Sequence, residues 1–256
     1  MTCPSLGSDS SSCCSLQNCS RQYGIGSSNY LQQVQELCKK NGIVFILDEM
    51  ITGFRWDLKG AQKMYGVIPD LCTFGKAMAN GYPLACVAGK REIMELGSIE
   101  FEGQERVFLL STTHGSEMGS LGAFVANVKF IRENKVVDHL WSYGSKLISL
   151  MNRKASEHGI AESFKAGGVA CSPYYVTLDS NKINSLALRT LFSQEMINNG
   201  ILMPWIALAY RHSDEEFAFT EQALDATFKI YAKAISEGVD KYLIGPVIKP
   251  VFRKYN

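Results

Sequence analysis

Ile43-Val44-Phe45-Ile46-Leu47-Asp48-Glu49 is the stretch that decides the fold: five apolar residues, three of them β-branched, run without polar alternation straight into two carboxylates. An unbroken apolar run of this length predicts a strand over 43–47 covered on both faces, as in a parallel sheet. Open α/β sheets bind ligands outside the carboxyl ends of their strands, so Asp48 becomes the first candidate functional residue.

The surrounding sequence extends the pattern. Upstream, Leu31, Val34, Leu37 and Cys38 recur at helical spacing, Lys39 and Lys40 suit a helix C-terminus, and Asn41-Gly42 supplies the stop. Downstream, the spacing predicts a short helix over 62–65, strands over 71–74 and 84–88, a helix over 91–96 and another apolar run over 108–110. Met118, Leu121, Val125, Val128 and Ile131 then mark a long helix, whose Gly119, Gly122, Ala123 and Ala126 favour close packing. A second long helix is expected over 138–158, stopped by Gly159. Beyond it the pattern is α+β: a strand over 174–178, a helix over 185–198, an extended piece over 201–209, and a helix over 220–236 with Leu224, Phe228, Tyr231 and Ile235 on one face. The chain thus divides into an α/β part over 30–135 and a C-terminal α+β domain over 136–256, preceded by residues 1–29.

Those first 29 residues differ in kind. Serine and cysteine dominate, no helical or strand period can be traced, and Arg21 is the only basic residue, unlike an Arg-rich transit peptide. Cys13, Cys14 and Cys19 lack the C-x-x-C spacing and the nearby histidine of a metal site. The segment reads as a disordered leader or the product of an aberrant translation start. Of the eight cysteines, Cys38, Cys72, Cys86 and Cys171 lie singly among apolar neighbours and are expected as small buried hydrophobes, not a disulfide framework.

Composition narrows the function classes. With 256 residues, 46% of them hydrophobic, the chain is long enough for a sizeable core without a staple. Twenty-six basic against 25 acidic residues give a net charge of +1, which argues against a nucleic-acid partner. No stretch approaches the ~18 apolar residues of a membrane span. The expectation is a cytoplasmic protein with no membrane or nucleic-acid partner.

Polar residues at three strand ends carry the chemistry: Asp48 after 43–47, Lys76 after 71–74, and Ser111-Thr112-Thr113 after 108–110. An acid, an amine and hydroxyls converging on one sheet edge could hold an aromatic aldehyde phosphate. His114, His139, His158 and His212 lack the spacing of a zinc set and are read as structural, and no G-x-S-x-G nucleophile motif is present. Arg55 and Arg211 have the bidentate geometry a substrate carboxylate prefers, but read first as surface arginines.

Ile46-Leu47-Asp48-Glu49-Met50-Ile51-Thr52-Gly53-Phe54-Arg55, with Lys76 following Asp48 by 28 positions in Pro69-Asp70-Leu71-Cys72-Thr73-Phe74-Gly75-Lys76, resembles the class III pyridoxal-phosphate-dependent aminotransferases. The likeness continues through Asn80-Gly81-Tyr82-Pro83-Leu84, Val87-Ala88-Gly89-Lys90-Arg91, Ser111-Thr112-Thr113-His114-Gly115 and His212-Ser213-Asp214-Glu215-Glu216. Within the class, the Thr-Gly-Phe-Arg ending and the His-Ser-Asp-Glu run look most like the glutamate-1-semialdehyde 2,1-aminomutase branch.

The resemblance implies an α/β fold of the aspartate aminotransferase-like type (fold type I), represented by its C-terminal half, with pyridoxal 5'-phosphate as cofactor. It implies that Asp48 keeps the cofactor's ring nitrogen protonated. At ~4 Å and an effective dielectric near 20 such a charge pair is worth about 4 kcal/mol. Lys76 would form the Schiff base and then act as acid and base, moving an amino group through pyridoxamine phosphate. A free lysine amine is protonated at neutral pH, so this use calls for desolvation or nearby cations. Alone, Lys76 would read as a solvated loop lysine; the flanking pattern on both sides reverses that. Met50 matches an aliphatic position against the pyridine face, with a plain core methionine as the alternative. Thr112 matches a phosphate-binding threonine contributed across a homodimer interface, with an ordinary helix cap as the alternative. Glu49 is read as a support.

Family members also carry, before the segment matching Leu31, a long portion with a Gly-Ser/Thr-Glu-Ala phosphate loop and an aromatic residue that stacks on the ring. Neither occurs here. The expectation is an N-terminally truncated chain with two open readings: an aminotransferase or aminomutase acting on a small amino or aldehyde substrate, or a non-catalytic fragment or pseudoenzyme of the same family.

Overall fold

A computed structural model describes residues 29–100, Gly103 and 117–249. The segment over 1–28, the 108–110 run and the Ser111-Thr112-Thr113 cluster lie outside the described residues. The described chain falls into two compact units, 29–139 and 140–249.

In the first unit, helix α1 (Tyr30–Lys40) begins at a reciprocal cap: Gln32 N donates to the Asn29 side chain at 3.0 Å, and Asn29 N donates to the Gln32 side chain. Strand β1 (Ile46–Asp48) pairs in parallel with β2 (Leu71–Phe74), in register Asp48 with Thr73. Between them lies the short helix α2 (Ala61–Tyr65). Strand β3 (Cys86–Gly89) then pairs antiparallel with β2, and the order among the described strands is β1-β2-β3. Helix α3 (Arg91–Met94) and the long α4 (Met118–Glu133) follow.

Two expectations for this sheet are corrected. The apolar run over 43–47 is not covered on both faces: Phe45 and Leu47 are 7% and 5% exposed, whereas Ile46 is 57% exposed and Ile43 and Val44 are also exposed. Alternation along the extended chain, rather than apolar content, decides which residues are covered. Nor is the sheet all parallel. The connection from β2 to β3 holds only the 3-10 turn Lys76–Met78, with no crossover helix, so the returning strand pairs antiparallel. In α4, Gly119 and Gly122 face open space among the described residues, and Met118, Leu121 and Val125 are exposed, so the close packing expected of that face is not present.

Helix α5 (Val136–Glu157) begins four residues before the second unit, which holds the rest of it, followed by the hairpin β4 (Phe164–Val169) and β5 (Ser172–Thr177), then α6 (Leu186–Asn198) and α7 (Asp214–Glu237). Its core is aromatic: the Phe164 ring lies 4.8 Å from Phe228 and 4.9 Å from Phe192, and all three are fully buried with Tyr231, Leu191 and Leu224. Helix α5 runs so close to the hairpin turn that a Cβ on Gly144 would overlap the Ala170 carbonyl. Helix α7 starts six residues before the expected position, because the Ser213 side chain and Glu216 form a capping box. Ile235, expected on the buried face with Leu224, Phe228 and Tyr231, is exposed. Of the four cysteines among the described residues, none of them in a disulfide, Cys72 and Cys171 are buried as expected, but Cys38 is half-buried and Cys86 exposed. No helix of the described residues is long and apolar enough to cross a membrane.

Candidate functional site

Strand alternation puts Ile46 and Asp48 on the same face of the sheet and Leu47 on the other. Asp48 ends β1, and its register partner in β2 is Thr73. The Thr73 hydroxyl and the Met50 backbone N–H both donate to Asp48 Oδ1, each at 2.9 Å. Oδ2 has no hydrogen-bond partner among the described residues. Asp48, Met50, Thr73, Val87 and Leu96 line an open groove of about 1460 Å³ on this face.

Three residues after Thr73, the chain turns. Gly75 is buried, and a Cβ there would overlap Met50 Cε, so the Met50 side chain rests directly on the Gly75 backbone. Lys76 follows with φ +43°, a left-handed conformation uncommon for a residue with a side chain. It opens the 3-10 turn Lys76–Met78, is exposed, and its amine has no hydrogen bond or ion pair among the described residues. The turn is held from α4: Asn127 Nδ2 donates to the Ala77 and Met78 carbonyls at 2.7 and 3.0 Å.

Of the sequence-predicted residues, Asp48 and Met50 therefore meet in one groove, and Lys76 stands one residue beyond the glycine on which Met50 packs, without lining the groove. Thr112 lies outside the described residues. Among the described residues no cluster of His, Cys, Asp or Glu could hold a metal ion. His158 bonds Asp225 on the surface of the second unit, and the His212 ring packs on Tyr143.

Glu49, next to Asp48, is fully buried. Its carboxylate accepts from Ala61 N at 2.8 Å, from Gln62 N at 2.9 Å and from the Thr52 hydroxyl. Three donors thus satisfy a carboxylate that would be costly to bury without partners. The carboxylate also supports the start of α2 and fixes the loop that follows Asp48. Close by, burial pushes the Cys72 thiol up to about 11, with the Glu49 charge adding to the effect. At the opposite end of β2, Asp70 accepts from Phe45 N at 2.7 Å and pairs with Lys90 at 2.6 Å, and the Lys90 bond holds its carboxyl below the usual range.

Sequence reasoning did not find Thr73 or Asn127. Thr73 was legible in principle, since in a parallel pair the residue across from a terminal carboxylate faces the same side. Asn127 carried no signal, because its partners are backbone carbonyls distant in sequence.

The family model for aminotransferase class-III matches residues 23–235. This chain belongs to that family. The class III chain is 34% identical over 223 residues to the glutamate-1-semialdehyde 2,1-aminomutase of Archaeoglobus fulgidus, a match covering 84% of it and 50% of that protein. It is 33% identical over 198 residues to the 3-aminobutyryl-CoA aminotransferase of Cloacimonas acidaminovorans, covering 76% of it and 46% of that protein. The class III chain thus spans about half the length of the curated relatives it matches. Among solved structures, the FumI protein of Sphingopyxis sp. MTA144, in its PLP internal aldimine form, superposes with a TM-score of 0.72 at 19% identity, over 81% of the class III chain and 48% of that protein. An omega-transaminase from Sphaerobacter thermophilus gives 0.69 at 22% identity, over 79% and 48%. The fold of the class III chain is therefore that of the fold type I transaminases.

Proposed function

We propose that the protein is a pyridoxal 5'-phosphate-dependent enzyme that moves an amino group, as an aminotransferase or as a glutamate-1-semialdehyde aminomutase. The observation that carries this reading is Asp48, which lines the groove with one oxygen fixed by two donors and the other without a partner among the described residues, at the carboxyl end of a strand whose parallel neighbour leads into Lys76.

These residues fit the cofactor. An unpartnered carboxylate oxygen suits a cationic ring nitrogen, and the thioether of Met50, packed on Gly75, offers an apolar surface to the face of a ring. Asp48 would hold the ring nitrogen, Met50 would lie against the ring and Lys76 would hold the aldehyde carbon, while Thr112 would reach the phosphate of the neighbouring subunit's cofactor. When bound, the cofactor supplies an electron sink for the α-carbon of an amine. Lys76 then serves as the acid and base, holding a proton at Nζ and returning it. Asp48 would keep its carboxylate opposite the ring nitrogen. Thr112 acting on the neighbouring subunit's cofactor would make the functional unit a homodimer.

The test is borohydride reduction of the purified chain after incubation with pyridoxal 5'-phosphate, followed by peptide mapping. The expected result is a pyridoxyl group on Lys76, absent from Lys76→Ala. A pure, folded chain that shows no such modification would favour the non-catalytic reading. Turnover of glutamate semialdehyde without a second amino donor would select the aminomutase. Turnover that requires a donor and a separate acceptor would select the aminotransferase.

A further inference from the structure

We propose that Thr73 is a positioning residue that fixes the orientation in which the Asp48 carboxylate is offered to a ligand in the groove. The inference rests on reading Asp48 as the carboxylate that holds the cofactor.

An ionised carboxylate oxygen has room for about two donors. Oδ1 of Asp48 has both, Thr73 Oγ1 and Met50 N, so the free acceptor capacity of the side chain lies on Oδ2. The two donors are not equivalent. Met50 N is two residues away on the same loop and follows Asp48 wherever the loop goes, as in any local Asp turn. Thr73 belongs to the neighbouring strand and is fixed by the ladder on both sides, paired with Asp48 in β1 and with Val87 in β3. Only its hydroxyl ties the carboxylate to the sheet. Its β-branched side chain is stiff at χ1, so the hydroxyl is a rigid donor. Without it, the Asp48 side chain is tied only to its own loop through Met50 N, and its open oxygen is no longer held in one orientation for a ring nitrogen.

Thr73→Val keeps the shape and the β propensity and removes the donor, while Thr73→Ser keeps the donor. The first measurement needs no cofactor: side-chain scalar couplings of Asp48 in the isotope-labelled chain. The expected result is one χ1 rotamer in the parent and in Thr73→Ser, and rotamer averaging in Thr73→Val. Couplings that stay fixed in Thr73→Val would overturn the inference, whether or not the cofactor binds. The second measurement is binding of pyridoxal 5'-phosphate by equilibrium dialysis, with the pH profile of the bound visible absorbance. Thr73→Val should bind about tenfold more weakly, the size of one lost charge-assisted hydrogen bond, with a displaced pH profile, and Thr73→Ser should restore both. A parent that binds no cofactor would overturn the reading of Asp48 and leave the couplings to decide the role of Thr73. A parent that binds, with Thr73→Val matching it in affinity and pH profile, would overturn the role of Thr73 alone.

Discussion

A Cβ built on Gly60 would sit 2.5 Å from both carboxylate oxygens of Glu49. Gly60 also has φ +77°, so the position excludes a side chain twice over, by space and by backbone conformation. This contact lets a buried carboxylate reach the first N–H groups of α2. Gly60→Ala is therefore expected to destabilise the first unit by about 2–4 kcal/mol. Glu49→Leu, which leaves the Ala61 and Gln62 N–H groups and the Thr52 hydroxyl unpaired, should cost about 3–5 kcal/mol. Urea unfolding followed at the buried Trp56, with Trp141 and Trp205 replaced by Phe, reads both. Losses below about 1 kcal/mol would show that the loop relaxes around the change.

The Lys76 turn depends on Asn127. Asn127→Ala removes both donors to the Ala77 and Met78 carbonyls. The Met78 and Asn80 amides, which bond Gly75 O and Lys76 O within that turn, should then exchange about tenfold faster with deuterium, with the amides of β2 unchanged. Equal protection in the variant would mean that the left-handed Lys76 is held by its own turn alone.

Much of the fold could be read from the sequence, and the reasons for the exceptions are specific. Helices α1 and α5 carry clear periodicity, α4 and α6 are legible from their apolar content and their stops, and β2 is legible at Leu71–Phe74. Strand β4 (Phe164–Val169) gave no signal because Gly167 and Gly168 break its pattern and only Val169 is β-branched. The start of α7 was hidden because Ser213-Asp214-Glu215-Glu216 reads as a family motif as readily as a capping box. At the site, Asp48, Lys76 and Met50 stood out because their flanks are distinctive. Thr73 acts through one hydrogen bond and Asn127 through two, with partners that only the three-dimensional arrangement reveals.

Thiol reactivity should follow burial. With its thiol pushed up to about 11, Cys72 holds on the order of a hundredfold less thiolate at neutral pH than an ordinary cysteine. Alkylation with iodoacetamide at pH 7.5, read by peptide mass spectrometry, should leave Cys72 unmodified in the folded chain and modify it fully in urea. Cys86, though also raised by burial, is exposed and should react before Cys72. Labelling of Cys72 ahead of Cys86 would contradict the packing of β2.

Helices α5 and α7 are tied at the surface of the second unit by ion pairs of Arg153 with Glu221 and of Lys154 with Asp225, and by the bond from His158 to Asp225. The hydrogen bonds to His158 and then to Lys154 hold the Asp225 carboxyl below its usual range, and Arg153 does the same for Glu221. A carboxylate with a lowered folded pKa adds stability above its unfolded value, about 4, and loses that stability as the pH falls through the folded value. Urea midpoints should thus be insensitive to these groups between pH 5 and 7 and fall below about pH 4, with Asp225→Asn losing less on acidification than the parent. An identical acid profile in the variant would show that the pair contributes nothing.

The most direct test of the proposed site is the dissociation constant of pyridoxal 5'-phosphate for the parent chain, Lys76→Ala and Asp48→Asn, measured by equilibrium dialysis on folded protein. Asp48→Asn keeps the shape and removes the charge, so the expected result is measurable binding by the parent that weakens about tenfold or more in Asp48→Asn and loses its visible absorbance in Lys76→Ala. Equal binding by all three chains would contradict the assignment of Asp48 and Lys76 as the residues that hold the cofactor.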